Sequence, residues 1–299
     1  MKNILTIIFR LTVACLLAGL VMGAAFILTD KAKKHNLHVN EQKVMFSLLG
    51  YSAKKPAPET VVLHEVYRYI VSEGESLSMG YLLPLQDGSF SFVTIDLAGA
   101  FVAQNPVSIP AEKITEEGER SQAIAASIGT GKTIRYADQT IVVTNAGKRT
   151  AYLLPGKFPG FKTFITTILA LDRDFSILGL EIMEHEEDPG LGGEIVQDYF
   201  KNQFKGKPLE TIKKLEVMKT PLPEEYLMVL EASRRERLDA EEVARIQEQY
   251  KDSDIYALTG ATISSTSVTN GVKAMVKKFA YRLEILDRVL AEQHIAVPF

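Results

Sequence analysis

The chain has 299 residues, 46% of them hydrophobic and 24% charged, with 34 basic against 37 acidic side chains, one cysteine and no tryptophan. That composition excludes a disordered or fibrous chain, and it offers no basic excess for neutralising a nucleic-acid backbone. Cys15 stands alone, which excludes an intramolecular disulfide and any zinc or iron–sulfur centre held by several cysteines.

An uncharged run from Leu11 to Leu28 follows Lys2 and Arg10 and precedes Asp30, Lys31, Lys33 and Lys34. At about 1.5 Å per residue it reaches roughly 27 Å, close to the hydrocarbon core of a bilayer, so residues 1–35 are expected to form a single-pass transmembrane anchor. A cleaved signal peptide is the competing reading, since Met22-Gly23-Ala24-Ala25 offers small residues. The run is long for such a peptide, and charges follow it at once. A literal count of basic residues on the two flanks keeps the large domain in the cytoplasm, but the short leader narrows the difference, and charge alone leaves orientation open.

Residues 36–59 form a linker that ends in Lys54-Lys55-Pro56-Ala57-Pro58. An additional β-rich region is expected over 60–149, with strand patterns at Val66–Val71, Tyr81–Leu83, Phe90–Ile95 and Ile141–Val143. Over 150–299 the clearest element is a hairpin, Thr163–Leu171 with Ser176–Glu184, turning at Asp172-Arg173-Asp174. A short helix is expected over Glu194–Phe204, and a charged helical insertion over 219–250. From Val268 to Leu290 apolar residues recur at helical spacing, which predicts a long amphipathic helix packed on a sheet.

Thr259-Gly260-Ala261-Thr262-Ile263-Ser264-Ser265 lies directly before that helix. A flexible glycine, a cluster of hydroxyls and a helix N-terminus suit a phosphate; the same residues also suit an ordinary Ser/Thr helix cap. Thr259–Thr262 resembles the [Ser/Thr]-Gly-Ala-Thr motif of the FMN-binding domain family found in the G subunit of the Rnf electron-transport complex and the C subunit of the sodium-translocating NADH:quinone oxidoreductase. A second segment, His185-Glu186-Glu187-Asp188-Pro189-Gly190-Leu191-Gly192, is similar to that family's His-x-Glu-Thr-Pro-Gly-Leu-Gly. Together the likeness covers residues 150–217 and 254–280.

The resemblance implies an α+β fold: a single N-terminal transmembrane helix followed by an FMN-binding α+β domain. FMN is the implied cofactor, joined to Thr262 by a phosphoester, with Thr259, Gly260, Ala261, Gly190, Leu191 and Gly192 around it and no catalytic or metal-ligating side chain. A separate flavin transferase is implied, because nothing in the sequence activates the Thr262 hydroxyl. The implied role is an electron-carrying subunit beside polytopic membrane subunits of an ion-translocating complex, in the inner membrane with the flavin domain on the periplasmic side. One departure is Tyr256, where the family has an acidic residue; Asp254 stands two positions earlier.

Rival readings are a stand-alone membrane-anchored flavoprotein of an anaerobic reductase chain and a flavin-free scaffold or sensory domain. Gly129-Thr130-Gly131-Lys132-Thr133 resembles the end of a phosphate-binding loop, but Ala126 occupies the position of its first glycine. Glu184, His185, Glu186 and Glu187 read as a solvated acidic turn in preference to a metal site.

Overall fold

A computed structural model describes residues 2–299, with the side chains of Lys2, Asn3, Leu5, Ile27, Leu28 and residues 30–38 left out of the description. The side chains of the expected flanking charges Lys2, Asp30, Lys31, Lys33 and Lys34 lie outside the description. The chain divides into two units, Met1–Ser47 and Leu48–Phe299.

The first unit lies within one helix, α1 (Lys2–Leu48), whose last residue opens the second unit. Its stretch Thr6–Phe26 is long and apolar enough to cross a membrane. Within it Thr12 and, just beyond, Thr29 donate to the carbonyls of Ile8 at 2.9 Å and Ala25 at 2.7 Å, which satisfies each hydroxyl inside the helix.

The second unit is built on eight antiparallel strands: β1 (Val61–Glu73), β2 (Ser76–Pro84), β3 (Phe90–Asp96), β4 (Phe101–Val107), β5 (Lys132–Asn145), β6 (Lys148–Pro159), β7 (Phe164–Asp172) and β8 (Ile177–Glu184). They lie in the order β4-β3-β2-β1-β5-β6-β7-β8, so a single sheet runs across residues 61–184. The two-residue period of the strands sends alternate side chains to opposite faces. Tyr67, Tyr69 and Val71 of β1 face one way, packing with Leu82, Phe92 and Ile124 of α2 (Glu117–Ile128). There the buried Arg120 lies over the Tyr67 ring at 3.7 Å and donates to Tyr69 Oη at 2.9 Å.

Val66, Tyr81, Leu83, Val93, Val142, Tyr152 and Leu169 face the other way. The chain returns over that face after a run of short elements: α3 (Asp198–Lys201), α4 (Leu209–Ile212), β9 (Val217–Met218), α5 (Glu224–Leu230), α6 (Ala232–Arg235), α7 (Ala240–Tyr250) and β10 (Ile255–Tyr256). It ends in α8 (Thr262–Glu292), which buries Val268, Val272, Val276, Phe279, Leu283, Leu286 and Leu290 at spacings of three and four.

One sequence expectation changes, and two other segments gain detail. The segment Glu194–Phe204 is no single helix but two 3-10 turns flanking α3, because Gln197 is extended at φ −73°, ψ 145°. The charged insertion is three short helices, of which α5 and α7 share an apolar cluster where Tyr226 stacks on Tyr250 at 4.3 Å. Gly129 and Gly131, at φ +82° and +91°, turn the chain from α2 into β5. A phosphate-binding loop opens onto a helix, whereas this one opens onto a strand.

Candidate functional site

The hairpin β7–β8 delivers the chain to the segment 185–192 at one end of the sheet, and β10 delivers it to 259–262 at the N-terminus of α8. The two segments, distant in sequence, wall one cleft of about 750 Å³, with Tyr199, Gln203, Lys219, Leu222 and Tyr256 around the rest. Gly190, Leu191, Thr259, Gly260 and Thr262 reach the cleft wall. Ala261 and Gly192 are both buried at its edge, Ala261 as the residue preceding α8 and Gly192 behind the wall, against Ser264 and Glu187.

Gly260 joins the two segments. Its φ of +74° belongs to the left-handed region, and a Cβ there would stand 3.0 Å from Leu191 Cδ2. Gly192 joins them again, since a Cβ would sit 2.5 Å from Ser264 Oγ and 2.9 Å from Glu187 Oε2. Glycine is therefore the residue that lets both segments close on each other.

Glu187 is not solvated: it is 4% exposed. One carboxylate oxygen accepts the backbone N–H groups of Phe161 at 2.8 Å and Lys162 at 3.2 Å, and the other accepts the Ser264 hydroxyl. His185 turns inward on its own loop, with Nδ1 accepting the Glu187 N–H at 3.2 Å. Among the described residues no group of His, Cys, Asp or Glu is arranged to hold a metal ion. Glu187 is thus a brace, while Glu184 and Glu186 of the same turn stay exposed, and its signal was present in the motif as the residue two before Pro189.

The hydroxyls at the start of α8 do not cap the helix. Ser265 donates to the Ala261 carbonyl at 2.9 Å and accepts the Leu258 N–H at 3.0 Å, and Ser264 is held by Glu187. Ala261 supplies no side-chain cap. The first-turn N–H groups of a helix have no intrahelical acceptor, so this end retains its affinity for an anion. Among the described residues the half-buried Thr262 hydroxyl has no hydrogen-bond partner, and no base lies bonded to it.

Tyr256 lines the cleft, whereas the Asp254 carboxylate is turned to the Glu216 N–H at 2.9 Å, outside the cleft lining. Gln203, buried at 2% exposure, accepts the Tyr256 N–H at 2.7 Å and donates to its carbonyl at 3.3 Å. Tyr199 donates to Glu194 at 3.2 Å; burial and then the Glu194 charge push its hydroxyl up to about 12. Lys219 is the one cation among the described cleft residues. Size, an uncapped helix end, a free threonine hydroxyl and the apolar side chains of Leu191, Leu222 and Leu258 fit a flavin mononucleotide: the phosphate at the helix and the ring system on the apolar wall.

The match to a protein family agrees with that fit. Residues 160–277 match the model of the FMN-binding domain family. Over 148 residues the chain is 28% identical to the G subunit of the proton-translocating ferredoxin:NAD(+) oxidoreductase complex of Clostridium ljungdahlii, covering 50% of this chain and 60% of the relative. It is 26% identical over 211 residues to the C subunit of the Na(+)-translocating NADH-quinone reductase of Pasteurella multocida, covering 69% of this chain and 72% of that relative. A solved structure of NqrC from Shewanella oneidensis aligns at a TM-score of 0.36 and 15% identity, over 72% of this chain and 77% of that one. The chain spans about 60% of the length of the Clostridium relative.

Proposed function

From the match of residues 160–277 to the model of the FMN-binding domain family, we propose that the protein is a membrane-anchored flavoprotein subunit that carries FMN on Thr262 and relays electrons within an ion-translocating complex of the Rnf type. The observation that carries this reading is the meeting of the 185–192 and 259–262 segments around a free threonine hydroxyl at an uncapped helix end. The roles that the names of the Clostridium and Pasteurella relatives describe support the electron-transfer assignment, and the apolar length of α1 supports the anchor.

FMN supplies the redox chemistry when bound. The chain's own part is attachment, orientation and exclusion of water. The Thr262 oxygen is the attachment point, and the first-turn N–H groups of α8 offset the phosphate charge. Leu191 and Leu258 present an apolar wall, while Glu187 holds the two motif segments together through Ser264. With no base bonded to Thr262, attachment falls to a separate flavin transferase acting on FAD. Electrons pass to and from polytopic membrane subunits, with the domain on the periplasmic side.

The test is a denaturing gel viewed under ultraviolet light, with the membrane-expressed protein made beside a flavin transferase. A fluorescent band from the parent chain and none from Thr262→Val is the expected result. A band that persists in Thr262→Val overturns the attachment site. A reporter fused after residue 35 tests the side of the membrane, and activity in the cytoplasm alone overturns the periplasmic placement.

A further inference from the structure

The sheet forks between β5 and β6. Their ladder stops at the Ile141–Leu153 pair. Before Ile141, β5 continues with β1 alone, as far as Lys132; after Leu153, β6 continues with β7 alone, as far as Pro159. Pro155, with no N–H to offer a neighbour, follows the fork directly. Helix α8 roofs the opening at close range: a Cβ on Gly156 would lie 2.3 Å from Met275 Cε, and one on Gly271 would lie 2.4 Å from the Phe158 ring. What remains is a groove of about 540 Å³ between residues 136–140, residues 154–158 and the flank of α8 from Gly271 to Arg282.

The groove is cationic. Arg68, Lys157, Lys278 and Arg282 line it against a single carboxylate, Asp138. Arg68 grips Asp138 with two nitrogens, through Nε at 2.9 Å and through Nη2, and Arg282 Nη1 donates to the same carboxylate at 3.1 Å. Burial alone would raise the Asp138 carboxyl, but the two guanidiniums outweigh it and hold it below the usual range. One carboxylate shared between two arginines leaves a positive charge uncompensated. The third Arg68 nitrogen meets only Met79 Sδ, a weak acceptor, at 3.3 Å, and among the described residues Arg282 Nη2 has no partner. Beside these donors lie Leu154, Phe158, Met275 and Phe279.

We propose that this groove is a second binding site, taking a small organic anion whose carboxylate or phosphate lies between Arg68 and Arg282 and whose apolar body lies against Phe158 and Phe279. The Arg282 Nη2 and Arg68 Nη1 donors left beside Asp138 serve a carboxylate or a phosphate equally, and the volume falls in the range of small-molecule pockets, larger than a bare inorganic ion fills. The site is distinct from the flavin cleft, because Arg282 follows Thr262 by twenty residues of helix, about 30 Å.

Calorimetric titration of the full chain in detergent micelles tests it, with phenyl phosphate, benzoate, inorganic phosphate and uncharged benzyl alcohol as probes. The expected result is saturable binding of one or both aromatic anions, weaker binding of inorganic phosphate and none of benzyl alcohol. Arg282→Ala should weaken the aromatic anion about tenfold or more, as for loss of a charge-assisted pair. Lys278→Ala, an exposed change that cannot unfold the domain, should weaken it severalfold, and Thr262→Val should leave it unchanged. No saturable binding of either aromatic anion overturns the proposal, as does binding indifferent to both Arg282→Ala and Lys278→Ala. Loss of binding in Thr262→Val also overturns it, since the anion would then belong to the helix end.

Discussion

Ser264, in the first turn of α8, donates its hydroxyl hydrogen to Glu187, 77 residues earlier in the chain. Through that one bond the start of the long helix is tied to the turn after the β7–β8 hairpin. Glu187 also holds the N–H groups of Phe161 and Lys162, so three strands of chain converge on one buried carboxylate.

Glu187→Ala leaves the buried Ser264 hydroxyl without its acceptor, at a cost of about 1–3 kcal/mol, while the N–H groups of the exposed Phe161 and Lys162 can turn to water. We expect a loss of about 1–3 kcal/mol in urea unfolding, together with loss of flavin loading. Glu187→Gln keeps one acceptor oxygen for the two N–H groups and should recover most of the stability.

Gly260→Ala places a Cβ on a backbone at φ +74° and within 3.0 Å of Leu191 Cδ2. The expected cost is about 1–2 kcal/mol of backbone strain. Leu191 swings to make room, so the fold should survive while the cleft wall shifts. Thermal melting should fall by a few degrees, and in-gel flavin fluorescence should fall by more than the melting change explains.

Lys207 is 1% exposed, and its ammonium donates to the carbonyls of Tyr250, Lys251 and Ser253 at 3.3, 3.1 and 2.5 Å. Burial pulls it down to about 8 from an ordinary 10.5, against the pull of Asp252 and Asp254. Between those two values the unfolded chain binds more protons than the folded one, so stability rises with pH across that window. Urea unfolding at pH 7.5 and 9.5 should show the rise, by at most about 3 kcal/mol. Lys207→Met should flatten it while lowering stability at both values, because three carbonyls lose their donor.

The parts legible in the sequence are those governed by local rules. The hairpin at 163–184 and the helix through Val268–Leu290 announce themselves by their periods of two and of three to four, and both stand where expected. Thr262 at a helix start was equally plain. The mate of Glu187 was not, because a buried acceptor is recognised only when the distant Ser264 and Phe161 arrive beside it. The β5–β6 fork was hidden for the same reason: Pro155 marks a place where pairing stops, but not which strand departs. The insertion after Pro223 read as one helical stretch because its charges hide a small core of Tyr226, Val229, Leu230, Ile246 and Tyr250.

Gln203 grips both the N–H and the carbonyl of Tyr256, so the path of the chain into 259–262 is set by a peptide group that every residue except proline possesses. The peptide of residue 256 therefore guides the chain toward Thr259 and Thr262, while its ring packs edge-on against Tyr226 at 6.2 Å. Backbone and side chain at this position thus divide two tasks, the peptide steering the chain into the helix start and the ring closing the cleft against the insertion.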